Sequence, residues 1–146
     1  VKTLGLRKGA LAMRVEEFMT TRLELVDADQ SVYDALEKMV DLRIRSLLVR
    51  FGGRNLDYGV ITARDVVFKV LARGMNPREA KVSDIASRPI ICIKRDTTVH
   101  EATQVMQESN IARVFVCDGE KIVGVVALLD VMTASLIMRA RGEHDS

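Results

Sequence analysis

Thr62 and Asp65, in the stretch Gly59-Val60-Ile61-Thr62-Ala63-Arg64-Asp65-Val66, have the types and spacing best suited to a chemical task in this chain. The β-branched pair Val60 and Ile61 reads as a strand. Ala63 to Gly74 reads as a helix with Thr62 at its N-cap and a glycine stop. Such a junction leaves backbone N–H groups and the positive end of the helix dipole available, which suits a phosphate. Asp65, one turn in, offers an acceptor for ribose hydroxyls. The same Thr-x-x-Asp pattern is also an ordinary capping arrangement, so one copy leaves both readings open. The chain carries the segment twice, the second time with Ala127 in place of the threonine.

Few other residues invite chemistry. His100 and His144 are far apart in sequence, and no nucleophile, base and orienting group stand together. Cys92 and Cys117 each sit in a β-branched run and read as small core side chains. No CxxC or Cys/His spacing supports a zinc site. The expectation is a protein that is not an enzyme, holds no metal and requires no cofactor. A net charge of +2 is too near neutral to suggest a nucleic-acid binder. A basic stretch around Arg7, Lys8 and Arg14 is the one feature in favour, but at 4% aromatic content the stacking platform for single strands is missing. No apolar run is long enough to span a bilayer and no signal peptide is visible, so a cytoplasmic chain without membrane contact is expected.

The elements that must position Thr62 and Asp65 follow from periodicity. Val15 to Thr20 reads as a short helical turn with Val15 and Phe18 inward, and Leu23 to Val26 as a short strand. Ser31 caps an amphipathic helix whose apolar stripe is Val32, Ala35, Leu36, Met39 and Val40. Ser46 to Arg50 is a strand, Phe51 to Asn55 a Gly-rich turn, Tyr58 to Thr62 a strand, and Arg64 to Arg73 a helix. Met75 to Ala80 is the linker candidate. The pattern then restarts: at an offset of 67 residues Val15 meets Val82, Val32 meets Val99, Ala35 meets Ala102 and Met39 meets Met106, without a gap up to Val49 and Val116. The second turn, Asp118-Gly119, is two residues shorter, so Gly59 pairs with Gly124 and Asp65 with Asp130. The expected organisation is an arm at 1–14, a first repeat at 15–74, a linker at 75–80, a second repeat at 81–141 and a tail at 142–146.

With this order of elements, and with Gly-h-h-Thr-x-x-Asp-h (h, apolar) closing the first half and Gly124-Val125-Val126-Ala127-Leu128-Leu129-Asp130-Val131 the second, the chain resembles a tandem pair of CBS domains, named after cystathionine β-synthase. The resemblance covers roughly residues 15–141. It implies an α/β fold of two β-α-β-β-α repeats packed about a pseudo-two-fold axis. It also implies a regulatory sensor of an adenosine-containing ligand, AMP, ADP or ATP, with S-adenosylmethionine as an alternative, bound in a cleft between the repeats. An effector protein is expected to act in trans.

By the family pattern, one cleft would combine Thr62, Arg64 and Asp65 with Arg88, Pro89, Ile90 and Ile91, the two isoleucines sandwiching an adenine. Arg113, at the start of a strand, would face the phosphate and add charge-assisted hydrogen bonds. The other cleft would use Asp130, the segment Thr21-Arg22-Leu23-Glu24 and Arg45. It has Ala127 in place of the threonine, and Glu24 where the first has Ile91. Like-charge repulsion on the order of a kcal/mol makes it the weaker site for an anionic ligand. The alternative to a sensor is a structural dimer in which both motifs only cap helices. The helices after each motif favour homodimerisation either way, because Val66, Val67, Phe68, Val70 and Leu71, like Leu128, Leu129, Val131, Met132, Leu136, Ile137 and Met138, are apolar on more than one face.

Overall fold

The structure, a computed structural model, describes residues 12–52 and 57–142. Arg7, Lys8, His144, part of the Gly-rich turn and most of the tail lie outside the described residues. The elements are a 3-10 turn at Val15–Glu17, β1 (Leu25–Asp27), α1 (Val32–Leu42), β2 (Ser46–Arg50), β3 (Tyr58–Thr62) and α2 (Ala63–Val66), which runs on as a π-helical turn at Val67–Leu71. The second half has α3 (Val82–Ile85), β4 (Cys92–Ile93), α4 (Val99–Ser109), β5 (Arg113–Asp118), β6 (Lys121–Ala127) and α5 (Leu128–Ala140). This is the expected α/β fold with two β-α-β-β-α repeats.

The described residues divide into two compact units, one running from Leu23 to Ile90 and the other taking those up to Arg22 with those from Ile91 onward. Each holds a three-stranded sheet in which the first pair is parallel and the second antiparallel. Parallel β1 and β2 need a crossover, and α1 supplies it; α4 does the same for β4 and β5. Ser31 and Thr98 cap these helices, their hydroxyls accepting the N–H groups of Asp34 and Glu101 at 3.1 and 3.2 Å. Arg43 and Asn110, 67 residues apart, end them in the left-handed conformation. The N–H of the next residue, Ile44 or Ile111, reaches back to Met39 O or Met106 O at 3.0 Å, the Schellman closure.

The cores match the predicted stripes. Val32, Ala35 and Met39 bury with Leu47, Val49, Ile61 and Val66 in one unit; Val99, Ala102 and Met106 bury with Val114, Val116, Val126 and Val131 in the other. Val40, expected on the buried stripe, lies on the exposed side of α1. Residues 75–80 are packed rather than extended: Pro77 O and Ala80 O accept from Tyr33 N–H and Val32 N–H at 3.0 and 2.8 Å, and the Arg78 guanidinium stacks on the Tyr33 ring.

Sequence repeat and compact unit do not coincide. The turn Val82–Ile85 buries Val82 and Ile85 in the core of β1, β2 and β3, and Ser87 pairs with the edge of β3 at Val60. Correspondingly, Val15 sits in the core of β4, β5 and β6, and Thr20 pairs with Val125. Each sheet is thus completed by the short turn that opens the other sequence repeat.

The cysteines correct the reading of the sequence. Cys92 and Cys117 form a disulfide with Cα atoms 5.7 Å apart, and Cys92 is exposed rather than a core side chain. In the parallel register Cys92 lies opposite Phe115, so Cys117, two residues on, is its same-face diagonal neighbour. That placement is not visible until the register is known.

Candidate functional site

The capping arrangement expected of Thr62 and Asp65 is present in full. Thr62 ends β3 in an extended conformation, and its Oγ1 accepts the Asp65 N–H at 3.1 Å. Asp65 Oδ2 in return accepts the Thr62 N–H at 2.9 Å and the Thr62 hydroxyl at 3.0 Å. This is a complete capping box. The other oxygen, Oδ1, lies 3.0 Å from Lys69 Nζ, which also donates to Ile85 O at 3.0 Å. The Asp65 side chain is only 14% exposed, so these are sheltered charge-assisted bonds. Lys69 was not among the residues singled out from sequence, although the Asp65–Lys69 spacing of one helical turn is a recognised pairing signal.

Several expected site residues share this unit. The Val60–Ser87 pair brings the segment Ser87-Arg88-Pro89-Ile90 beside β3. Arg88 is engaged: its guanidinium donates to Asp57 at 2.8 Å and lies over the Phe51 ring at 4.1 Å. The Arg88–Pro89 peptide is cis. Pro89 is exposed, Ile90 half-buried, and Arg64 lies over the Phe68 ring on the solvent side of α2. Ile91 and Arg113 belong to the other unit, where Ile91 O accepts the Phe115 N–H at 2.9 Å and Arg113 opens β5 opposite Ala127.

The second motif keeps half of the box. Asp130 Oδ2 accepts the Ala127 N–H at 2.8 Å, and Ala127 has no hydroxyl to return the bond. Leu23, Glu24 and Arg45 lie in the unit of Thr62 and Asp65. Glu24 is 3.7 Å from Lys38 Nζ, which tempers the repulsion expected of it. Arg45 O accepts the Ala63 N–H at 2.8 Å, as Ala112 O accepts that of Leu128 at 3.2 Å. Arg45 therefore corresponds to Ala112, and Arg113 to Ser46, so the two arginines are not equivalent positions.

An open depression of about 480 Å³ in the same unit is lined by Asp27, Asp29, Arg50, Lys81 and Ser83 among others. Arg50 donates to Asp27 at 2.9 Å, and this hydrogen bond, with the attraction of the carboxylate, raises its already high pKa. None of the expected ligand residues lines this depression. Among the described residues no group of three or more His, Cys, Asp or Glu could hold a metal ion, and no helix is long and apolar enough to cross a membrane.

Comparison with known proteins adds to this geometry. The family model described as CBS domain matches residues 15–72 and 82–137. An uncharacterized protein of Methanopyrus kandleri is 40% identical over 88 residues, covering 60% of this chain and 45% of that one. An uncharacterized protein of Methanocaldococcus jannaschii is 35% identical over 109 residues, 74% of this chain and 59% of its own length. The chain thus spans about half the length of these relatives. Among solved structures, a hexameric CBS-CP12 protein from bloom-forming cyanobacteria superposes with a TM-score of 0.80 at 24% identity, over 87% of this chain and 73% of that one.

Proposed function

The chain belongs to the CBS-domain family as a tandem pair, and from that premise we propose that it is a regulatory module sensing an adenosine-containing ligand through the Thr62–Asp65 motif. The family's modules regulate rather than catalyse, which agrees with the absence of any catalytic constellation in the sequence. AMP, ADP or ATP is the proposed ligand class, with S-adenosylmethionine as the alternative. The carrying observation is the Thr62–Asp65 pair, sheltered at the end of β3, with Ser87 and the segment to Ile90 held beside that strand. Arg64, Arg88, Pro89, Ile90 and Ile91 are the proposed contacts, and Arg113 the proposed partner of the phosphate. Asp130, with Leu23, Glu24 and Arg45, is the proposed weaker site. Regulation would be passed to an effector protein in trans.

A thermal-shift panel of AMP, ADP, ATP, NAD and S-adenosylmethionine tests this. Ligand at ~100 times its Kd should stabilise the fold by roughly 2.7 kcal/mol, a readily measured shift. A melting curve unmoved by every member would refute the sensor reading.

A second reading, an interaction module without ligand, is favoured by one observation. The Asp65 carboxylate is already well satisfied inside its own unit, by Thr62 and Lys69. The exposed apolar residues of α5, Leu128, Leu129, Met132 and Leu136, suit self-association under either reading. We propose a homodimer through the helices after each motif; the hexameric cyanobacterial protein is a precedent for larger assemblies.

A further inference from the structure

The helix after β3 departs from its counterpart at one residue. In α5 the buried positions are Val131, Ala134 and Met138, spaced as in a regular helix. Pairing Asp65 with Asp130 sets Val66 against Val131 and Lys69 against Ala134. A regular helix would therefore carry Lys69 into the core. The π turn at Val67–Leu71, closed by the Ala72 N–H on Val67 O at 2.7 Å, inserts an extra residue instead. Val70 takes the buried place, fully covered, and Lys69 turns out to meet Asp65 and Ile85 O. Single π turns inside α-helices are frequent where a side chain is being placed for function.

We infer that Lys69 is a specificity-determining positioning residue that makes the Asp65 site select a phosphorylated ligand over the neutral nucleoside; this rests on the sensor reading above. The reason is charge: Lys69 compensates Asp65, so a phosphate brought near meets a neutral pair, whereas without Lys69 it would meet a sheltered carboxylate. A carboxylate has about four acceptor positions, and Thr62 N–H, Thr62 O–H and Lys69 occupy three. What is left is a place on Oδ1 for one hydroxyl, a contact that AMP and adenosine share and that does not discriminate between them. Through Ile85 O, Lys69 also ties Asp65 to the end of α3, two residues before Ser87 and the segment that leads to Ile90. The Asp130 motif has Ala134 at this position, so it lacks this selection.

Titration calorimetry of the full chain with AMP and with adenosine decides the matter, using the unaltered protein, Lys69→Met and Lys69→Arg. Lys69→Met should weaken AMP about five- to tenfold, the partial exposure of Lys69 limiting the effect. Adenosine should change by less than about twofold, and Lys69→Arg should recover most of the AMP affinity. Unaltered AMP binding in Lys69→Met, equal losses for both ligands, or no recovery with arginine would each overturn the inference while leaving the sensor reading in place. An unaltered protein that binds neither ligand overturns both.

Discussion

Val60 and Ser87 exchange both backbone hydrogen bonds, each 2.9 Å long. This single bridge brings the segment that follows α3 against β3, one residue from the glycine that opens the Thr62–Asp65 motif. It gives that glycine a steric reason. A Cβ on Gly59 would lie 2.6 Å from Ser87 O and 2.8 Å from the Phe51 ring. The second unit repeats the arrangement with Thr20 and Val125, and there a Cβ on Gly124 would meet Met19 Sδ at 2.5 Å and Thr20 O at 3.2 Å.

The two glycines should therefore differ in tolerance. Gly59→Ala presses on a backbone carbonyl held in a pairing, whereas Gly124→Ala presses mainly on a flexible methionine end. Gly59→Ala should cost about 2 kcal/mol or more, within the usual range for overpacking, and Gly124→Ala about half of that or less. Urea unfolding of the two variants reports the difference. Equal losses would show that the bridge at Ser87 yields as easily as the Met19 side chain.

The Cys92–Cys117 disulfide gives a second expectation. It closes a loop across a sequence separation of 25 and joins the two-residue strand β4 to β5. Reduction, or Cys92→Ser with Cys117→Ser, should lower stability by about 3 kcal/mol through the entropy returned to the unfolded chain. Melting curves with and without dithiothreitol test it. A curve that does not move on complete reduction, verified by thiol titration, would show that β4 holds its place by pairing alone.

Much of the Thr62–Asp65 geometry was legible because it is local. Thr62, Asp65 and the end of β3 lie within a few residues of each other, and caps and strand ends are short-range features. The helices α1 and α4 were legible through their stripes and their Ser31 and Thr98 caps. What escaped depends on partners distant in sequence or on a helix leaving its ideal period. Cys92 and Cys117 meet only once the parallel register sets Cys92 against Phe115. The Asp65–Lys69 pair has ordinary i,i+4 spacing, but that Val70 rather than Lys69 takes the buried place follows from a π turn, which no periodicity analysis at 3.6 residues per turn anticipates. The strand expected at Leu23–Val26 is found at Leu25–Asp27, since Leu25, Val26 and Asp27 are the residues in register with β2.

Self-association has its own test. Met132 is 63% exposed and Ile137 40% exposed on α5, while Val131, Ala134 and Met138 face the core of the same unit. Met132→Glu or Ile137→Glu should shift the protein from dimer to monomer or aggregate with little change in the fold. Light scattering that reports a monomer for the unaltered protein at micromolar concentration would end the proposal.

Asp65→Asn separates ligand binding from capping. Asparagine can still accept the Thr62 N–H, but it lacks the charge that strengthens the bond from Lys69 and any ribose hydroxyl. If Asp65 binds ligand, affinity should fall at least severalfold while the melting temperature without ligand stays within a few degrees. If it only caps the helix, the loss should be one of stability, typically ~1 kcal/mol, with ligand affinity unchanged. Asp130→Asn provides the internal comparison: its site has Ala127 in place of the threonine and Ala134 in place of the lysine, so it should matter less for a phosphorylated ligand. Calorimetric titrations of both variants with AMP, beside melting curves without it, read the two outcomes separately. An Asp65→Asn protein that melts lower yet binds AMP as tightly as the unaltered chain would reduce the Thr62–Asp65 pair to a helix cap.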